Sequence, residues 1–135
     1  MTHDNWKTPH KFYAELDSEF HFDFDPCPLH STFDGLKIPW GRSNFVNPPY
    51  SRELKDKFVK KALSESKKGK LCVILLPVRT STILFQDVIF PNAHEIRFLR
   101  GRLSFQGIDS TGKLVDKPTG MFGNMLVVFR PKVTP

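Results

Sequence analysis

Apolar and polar positions divide the chain into alternating segments. Residues 9–19, PHKFYAELDSE, predict a helix with Thr8 as N-cap, Pro9 at its first position and Phe12, Tyr13 and Leu16 on one stripe. Residues 20–25, FHFDFD, alternate with the period of two expected of a half-exposed strand. Residues 26–42, with three prolines and two glycines, read as loop, and residues 43–46, SNFV, as a short strand. Residues 51–69 predict an amphipathic helix that turns Leu54, Phe58 and Ala62 inward, is capped by Ser51 and ends at Gly69. The run KLCVILLP, residues 70–77, is apolar without a break, as in a strand buried on both faces. A helix over 81–90, a strand over 94–100, a short strand or hairpin arm over 101–107, an exposed loop over 108–123 and a last strand over 124–130 complete the pattern.

This order of strands and helices is α/β wiring, and it predicts a mostly parallel sheet in one domain spanning residues 1–135. Ligands of such sheets bind beyond the carboxyl ends of the strands. Two unusual stretches, FDFD-PCP and NFV-NPPY, fall at that edge and so are expected to share one site.

Composition refines the picture only a little. A formal charge of +6, from 20 Lys and Arg against 14 Asp and Glu, favours an anionic partner. The two cysteines, Cys27 and Cys72, sit in apolar contexts without the spacing of a disulfide framework or a zinc site, which fits a reducing cytoplasm. The five histidines lack metal-ligand spacing, so no metal is expected. The opening MTHDNWKTPH has no apolar run of the signal-peptide kind, and no stretch approaches the ~18 apolar residues of a membrane helix.

The chemistry concentrates in Asn47-Pro48-Pro49-Tyr50. Two adjacent prolines remove two backbone donors and fix two φ angles, and Pro49 restricts Pro48 to an extended conformation. The turn therefore holds a backbone carbonyl rigidly beside the Asn47 side-chain oxygen. Two such acceptors suit an exocyclic amine whose lone pair is delocalised into a ring. Accepting from both N–H groups draws the nitrogen toward sp³ and makes it nucleophilic, in a preorganised site that needs no carboxylate base. Tyr50 adds a π face on which a base can stack.

NPPY directly after an apolar strand resembles the signature of N6-adenine methyltransferases that use S-adenosylmethionine. A similar motif marks protein glutamine methyltransferases. Further segments follow in the order W-x-T-P, D-P-C, D-G-L, NPPY, LLP and GRLSF, and together they resemble the phage and prophage Dam-like DNA N6-adenine methyltransferases over nearly the whole chain. The resemblance implies a reduced Rossmann-like S-adenosylmethionine-dependent methyltransferase fold. It implies Asn47, Pro48, Pro49 and Tyr50 as catalytic, and Trp6, Thr8, Pro9, Asp25, Pro26, Cys27 and Asp34 as contacts of the methyl donor. It also implies DNA as partner and a cytoplasmic protein, in the bacterial host if phage-encoded. The chain departs from the usual pattern in two ways. The glycines that normally follow the cofactor strand are absent. The interval from Asp25 to Asn47 is also shorter than the ~30 residues of one βαβ unit, which predicts a sheet lacking the strands usually found there.

No compact DNA-recognition motif is present, so contacts are expected from loops: Arg79 after the buried strand, and Arg100 and Arg102 around Gly101. The lysines of helix 51–69, Lys55 included, read as solvent face, and so does Lys113. Two other readings stay open: an inactive nucleic-acid binder on a degraded scaffold, and a protein glutamine methyltransferase.

Overall fold

The computed structural model describes residues 8–29, 31–101, 105–108, 114–117 and 123–131. Helix α1 (His10–Phe20), strand β1 (Ser43–Val46), helix α2 (Arg52–Ser66) and strand β2 (Leu71–Pro77) come first. A π-helical segment, Leu84–Ile89, then runs into a single turn, α3 (Phe90–Asn92). Strands β3 (Glu95–Phe98), β4 (Phe105–Ile108), β5 (Leu114–Lys117) and β6 (Asn124–Phe129) follow.

The main sheet has the order β1-β2-β6-β3. β1 and β2 are parallel, whereas β6 is antiparallel to both its neighbours, β2 and β3. The sheet is thus not mostly parallel, contrary to the expectation from the element order. A parallel return needs a long crossover, usually a helix. Between β3 and β6 the chain instead forms the hairpin of β4 and β5, whose second arm lies in the segment expected to be loop. β6 consequently runs back between β2 and β3.

Strand alternation explains why both faces are covered. Cys72, Ile74 and Leu76 of β2 join Met125, Val127 and Phe129 of β6 in one core cluster, with Phe58, Val59 and Ala62 of α2 and Leu84, Phe85 and Ile89 of the π-helical segment. Val73, Leu75, Leu126 and Val128 face the opposite way, onto Leu16 and Phe20 of α1. The result is three layers, with α1 on one side and α2 with the π-helical segment on the other. Arg97 of β3 pins α1 to the sheet edge through paired hydrogen bonds to Glu19, at 2.6 and 2.5 Å.

The alternating stretch 20–25 narrows to one parallel bridge, Phe24 with Asn44, on the free side of β1. Asp23 N donates to Ser43 O and Phe45 N to Phe24 O, so the segment still lies along β1. It places Asp25 beside the carboxyl end of that strand.

Candidate active site

β1 ends at Val46, and the next four residues form the NPPY turn. Asn47, Pro48 and Pro49 are buried and Tyr50 is half-buried. The Asn47 amide Nδ2 donates to Thr8 Oγ1 at 3.1 Å, which ties the turn to the start of α1. Pro9 rather than Thr8 is the N-cap of α1, leaving the Thr8 hydroxyl to meet Asn47. Burial pushes the Tyr50 phenol up to about 12, so it stays a neutral O–H donor at ordinary pH.

The turn separates two cavities. On the Asn47 side lies a cavity of about 200 Å³ lined by Thr8, His10, Tyr13, Asp25, Cys27 and Asn47, among others. Asp25 Oδ1 accepts from the Cys27 backbone N–H at 2.9 Å. Burial raises the Asp25 carboxyl to about 6, and that one hydrogen bond only partly opposes the rise. Burial also raises the Tyr13 phenol, with Asp17 and Asp25 adding to the effect.

Pro26 is buried behind Asp25, and Gly35 packs directly on it: a Cβ at Gly35 would lie 1.9 Å from the Pro26 carbonyl oxygen. The D-P-C and D-G-L segments therefore touch, and only glycine permits that approach. Asp34 closes a tight turn, its Oδ1 accepting from Leu36 N at 2.9 Å, and it is exposed and outside the lining of this cavity. Pro9 is half-buried at the start of α1 and also outside that lining. Trp6, Arg102 and Lys113 lie outside the described residues.

On the Tyr50 side is a cavity of about 500 Å³. Its lining includes Tyr50, Arg52, Lys55, Asp56 and Arg79, with Leu76 and Met125 at its apolar floor. Leu76 and Met125 are cross-strand partners near the ends of β2 and β6, so the cavity sits at the same sheet edge as NPPY. Arg79 comes two residues after β2, as its position in the sequence implies. Arg100 is exposed just beyond β3, where Leu99 N donates to Asn124 O, but it does not line the cavity.

Arg52, Lys55 and Asp56 escape a reading by helical periodicity. That reading assigns Lys55 to the solvent face, but Lys55 is half-buried and lines this cavity with Leu84, Phe85 and Ile89 of the π-helical segment. Leu54, expected to point inward, is instead exposed. The available signal was proximity in sequence: the first turn of α2 begins two residues after Tyr50.

Beneath the site, Glu65 organises the loop that returns the chain to β1. It is fully buried; its Oε1 accepts from Trp40 N at 2.6 Å and from Lys70 Nζ at 3.2 Å. Burial pushes its carboxyl up, but the Trp40 N–H outweighs this together with Lys70, Lys68 and Lys61, and holds the group at about 2. Trp40 in turn donates Nε1 to Gly35 O at 2.7 Å. A buried carboxylate thus fixes the loop that packs under Pro26.

A family model described as DNA N-6-adenine-methyltransferase (Dam) matches residues 1–135. The DNA N-6-adenine-methyltransferase of Escherichia phage T1 is 31% identical over 141 residues, covering 84% of this chain and 58% of that protein. The chain therefore spans less than two thirds of the length of this curated relative. No solved structure matches the chain. Full-length agreement with the family model, together with an NPPY turn set at a strand end between two cavities, leads to one assignment: the chain belongs to the DNA N-6-adenine-methyltransferase (Dam) family.

Proposed function

We propose that this chain transfers a methyl group from S-adenosylmethionine to N6 of an adenine extruded from DNA, on a reduced Rossmann-like fold. One observation carries the reading: a rigid Asn-Pro-Pro-Tyr turn stands between a carboxylate-bearing cavity and a larger cation-bearing one.

The smaller cavity has the chemistry for the methyl donor. A half-buried carboxylate with a raised pKa gains from a cationic ligand, because a neighbouring positive charge favours its ionised form. Thr8, Asp25 and Asn47 supply a hydroxyl, a carboxylate and an amide, and Tyr13 and Phe45 supply aromatic faces. That donor set fits a sulfonium-bearing nucleoside with hydroxyl and amino groups. Thr8 and Asp25 are the residues that would hold it, with Cys27 fixing the Asp25 carboxylate. When bound, the donor supplies a methyl group on a positively charged sulfur.

The chain's own residues do the rest. Thr8 fixes the plane of the Asn47 amide, which sets the direction of Oδ1. Asn47 Oδ1 and the backbone carbonyl of Pro48 accept from the two N–H groups of the adenine amine. Positive charge develops on that nitrogen as its bond to the methyl carbon forms and the carbon–sulfur bond breaks; fixed acceptors stabilise it without reorganising, and the nitrogen then gives its surplus proton to solvent. Tyr50 receives the extruded base by stacking, which offsets a cost of a few kcal/mol for leaving the duplex.

The test is transfer of labelled methyl from S-adenosylmethionine to unmethylated DNA, followed by digestion to nucleosides. The label is expected in N6-methyladenine. Label in protein with unlabelled DNA would replace this reading with glutamine methylation. DNA binding by folded protein without transfer would replace it with an inactive binder.

A further inference from the structure

Lys55 and Arg52 are placed where folding alone disfavours them. Both lie in the first turn of α2, at the end where the helix dipole is positive and where carboxylates, not cations, are stabilised by ~0.3–1 kcal/mol each. Both line the Tyr50-side cavity together with Arg79, and among the described residues one carboxylate, Asp56, lines it with them. Lys55 is half-buried, and its ammonium is held below the ordinary lysine value by burial; Asp56 opposes the shift, and Arg79 and Arg52 add to it. No ion pair joins Arg52 or Lys55 to a carboxylate among the described residues, whereas Lys57, two residues on, pairs with Glu53. Three cations gathered around one cavity repel one another. An anion entering it would relieve that repulsion and would also meet the positive end of the helix.

We infer that Arg52 and Lys55, with Arg79, form a clamp for the backbone phosphate next to the nucleotide seated on Tyr50. The inference deepens the proposed function and rests on it for the identity of the strand. A phosphodiester suits the site for three reasons. It carries one negative charge and exposed oxygens, it accompanies any base that reaches Tyr50, and the cavity of about 500 Å³ has room for it beside a base. The clamp positions the nucleotide without reading its sequence. Arg52 and Lys55 are positioning residues here, since the reacting nitrogen lies toward Asn47.

The test measures binding of a fluorescent adenine-containing oligonucleotide across a salt series, for wild type, Arg52→Gln and Lys55→Gln. Each lost phosphate contact reduces the slope of log K against log salt by about 0.7 on a single strand and 0.9 on a duplex. Each variant is expected to lose about that much slope and to weaken binding alike for unrelated sequences. S-adenosylmethionine affinity should stay unchanged. Thermal stability should be unchanged or raised, because an ill-placed cation is removed. Unchanged slopes in a wild type that methylates DNA would overturn the clamp and leave the methyltransferase reading intact. Reduced slopes in a wild type that binds DNA without methylating it would support the clamp and sink the methyltransferase reading. Losses confined to one base sequence would overturn the clamp, since a phosphate contact carries no sequence. Deoxyadenosine 5′-monophosphate binding as tightly as the oligonucleotide would also overturn it, in favour of a free nucleotide.

Discussion

The two cavities flanking the NPPY turn share a wall and differ in almost everything else. The Asn47 side is about 200 Å³ and carries a half-buried carboxylate, Asp25, that desolvation raises to about 6. The Tyr50 side is about 500 Å³ and carries three cations, one of them held down by burial and by the other two. Among the described residues, the two linings carry charge of opposite sign. That contrast fits the proposed ligands, a cation on one side and a polyanion on the other. A sulfonium donor and a nucleic-acid strand have those charges, and in the proposed reaction the turn between them presents acceptors to an amine. Stability has been conceded on both sides to hold charges that folding does not want.

Substitutions can break or sharpen this contrast. Asn47→Ala removes the acceptor on the dividing wall and is expected to lower methyl transfer by about 10²–10³-fold, as loss of one preorganised polar group does elsewhere. Single-turnover kinetics would check it, with both ligand affinities changing far less than the rate.

Asp25→Asn acts on one side alone. Affinity for S-adenosylmethionine should fall by roughly 1.5–3 kcal/mol, the range for a charge-assisted hydrogen bond, while DNA affinity holds. Calorimetric titration at pH 5 to 8 should show wild-type affinity for the donor dropping as pH falls through about 6, where Asp25 protonates, and the variant losing that dependence. The same residue fixes a stability effect of opposite sign. The folded value of about 6 exceeds the reference 3.8, so the native state holds more protons between them and stability falls as pH rises through that window. At pH 7 the ligand-free Asp25→Asn protein should therefore melt at a higher temperature than wild type.

Tyr50→Ala acts on the other side. It should cost about 1–3 kcal/mol of affinity for a base-containing strand by loss of stacking, and leave binding of the methyl donor unchanged. Fluorescence of 2-aminopurine at the target position would report whether the base still leaves the stack.

Glu65→Gln should touch neither side selectively. It keeps an acceptor for Trp40 but removes the charge shared by the lysines, a loss of roughly 1.5–3 kcal/mol. The Glu65 carboxyl lies at about 2 against a reference of 4.5. Its contribution is therefore present above 4.5 and is lost as pH falls toward 2, so the variant should show a shallower acid transition in circular dichroism.

Much of this contrast was legible in the sequence on the Asn47 side and little of it on the Tyr50 side. The apolar run of β2 and the period of α2 identify themselves, because burial on two faces and on one stripe leave direct marks. NPPY is legible because its prolines have few other uses. Thr8, Asp25 and Cys27 came from motif order, and the fold brings all three to Asn47. The direction of β6 was not legible, since an apolar strand reads the same either way and the evidence lay in the missing crossover helix. Lys55 was misread because periodicity describes one helix at a time. The cavity that Lys55 shares with Leu84 and Phe85 is built by tertiary packing.

The most direct test of the account measures equilibrium binding of both ligands, S-adenosylmethionine and an adenine-containing DNA strand, to wild type, Asp25→Asn and Tyr50→Ala. A double dissociation is expected: Asp25→Asn weakens binding of the methyl donor alone, and Tyr50→Ala weakens binding of the strand alone. If each variant weakened both ligands equally while remaining folded, the two cavities would be one site and the division by the NPPY turn would be wrong.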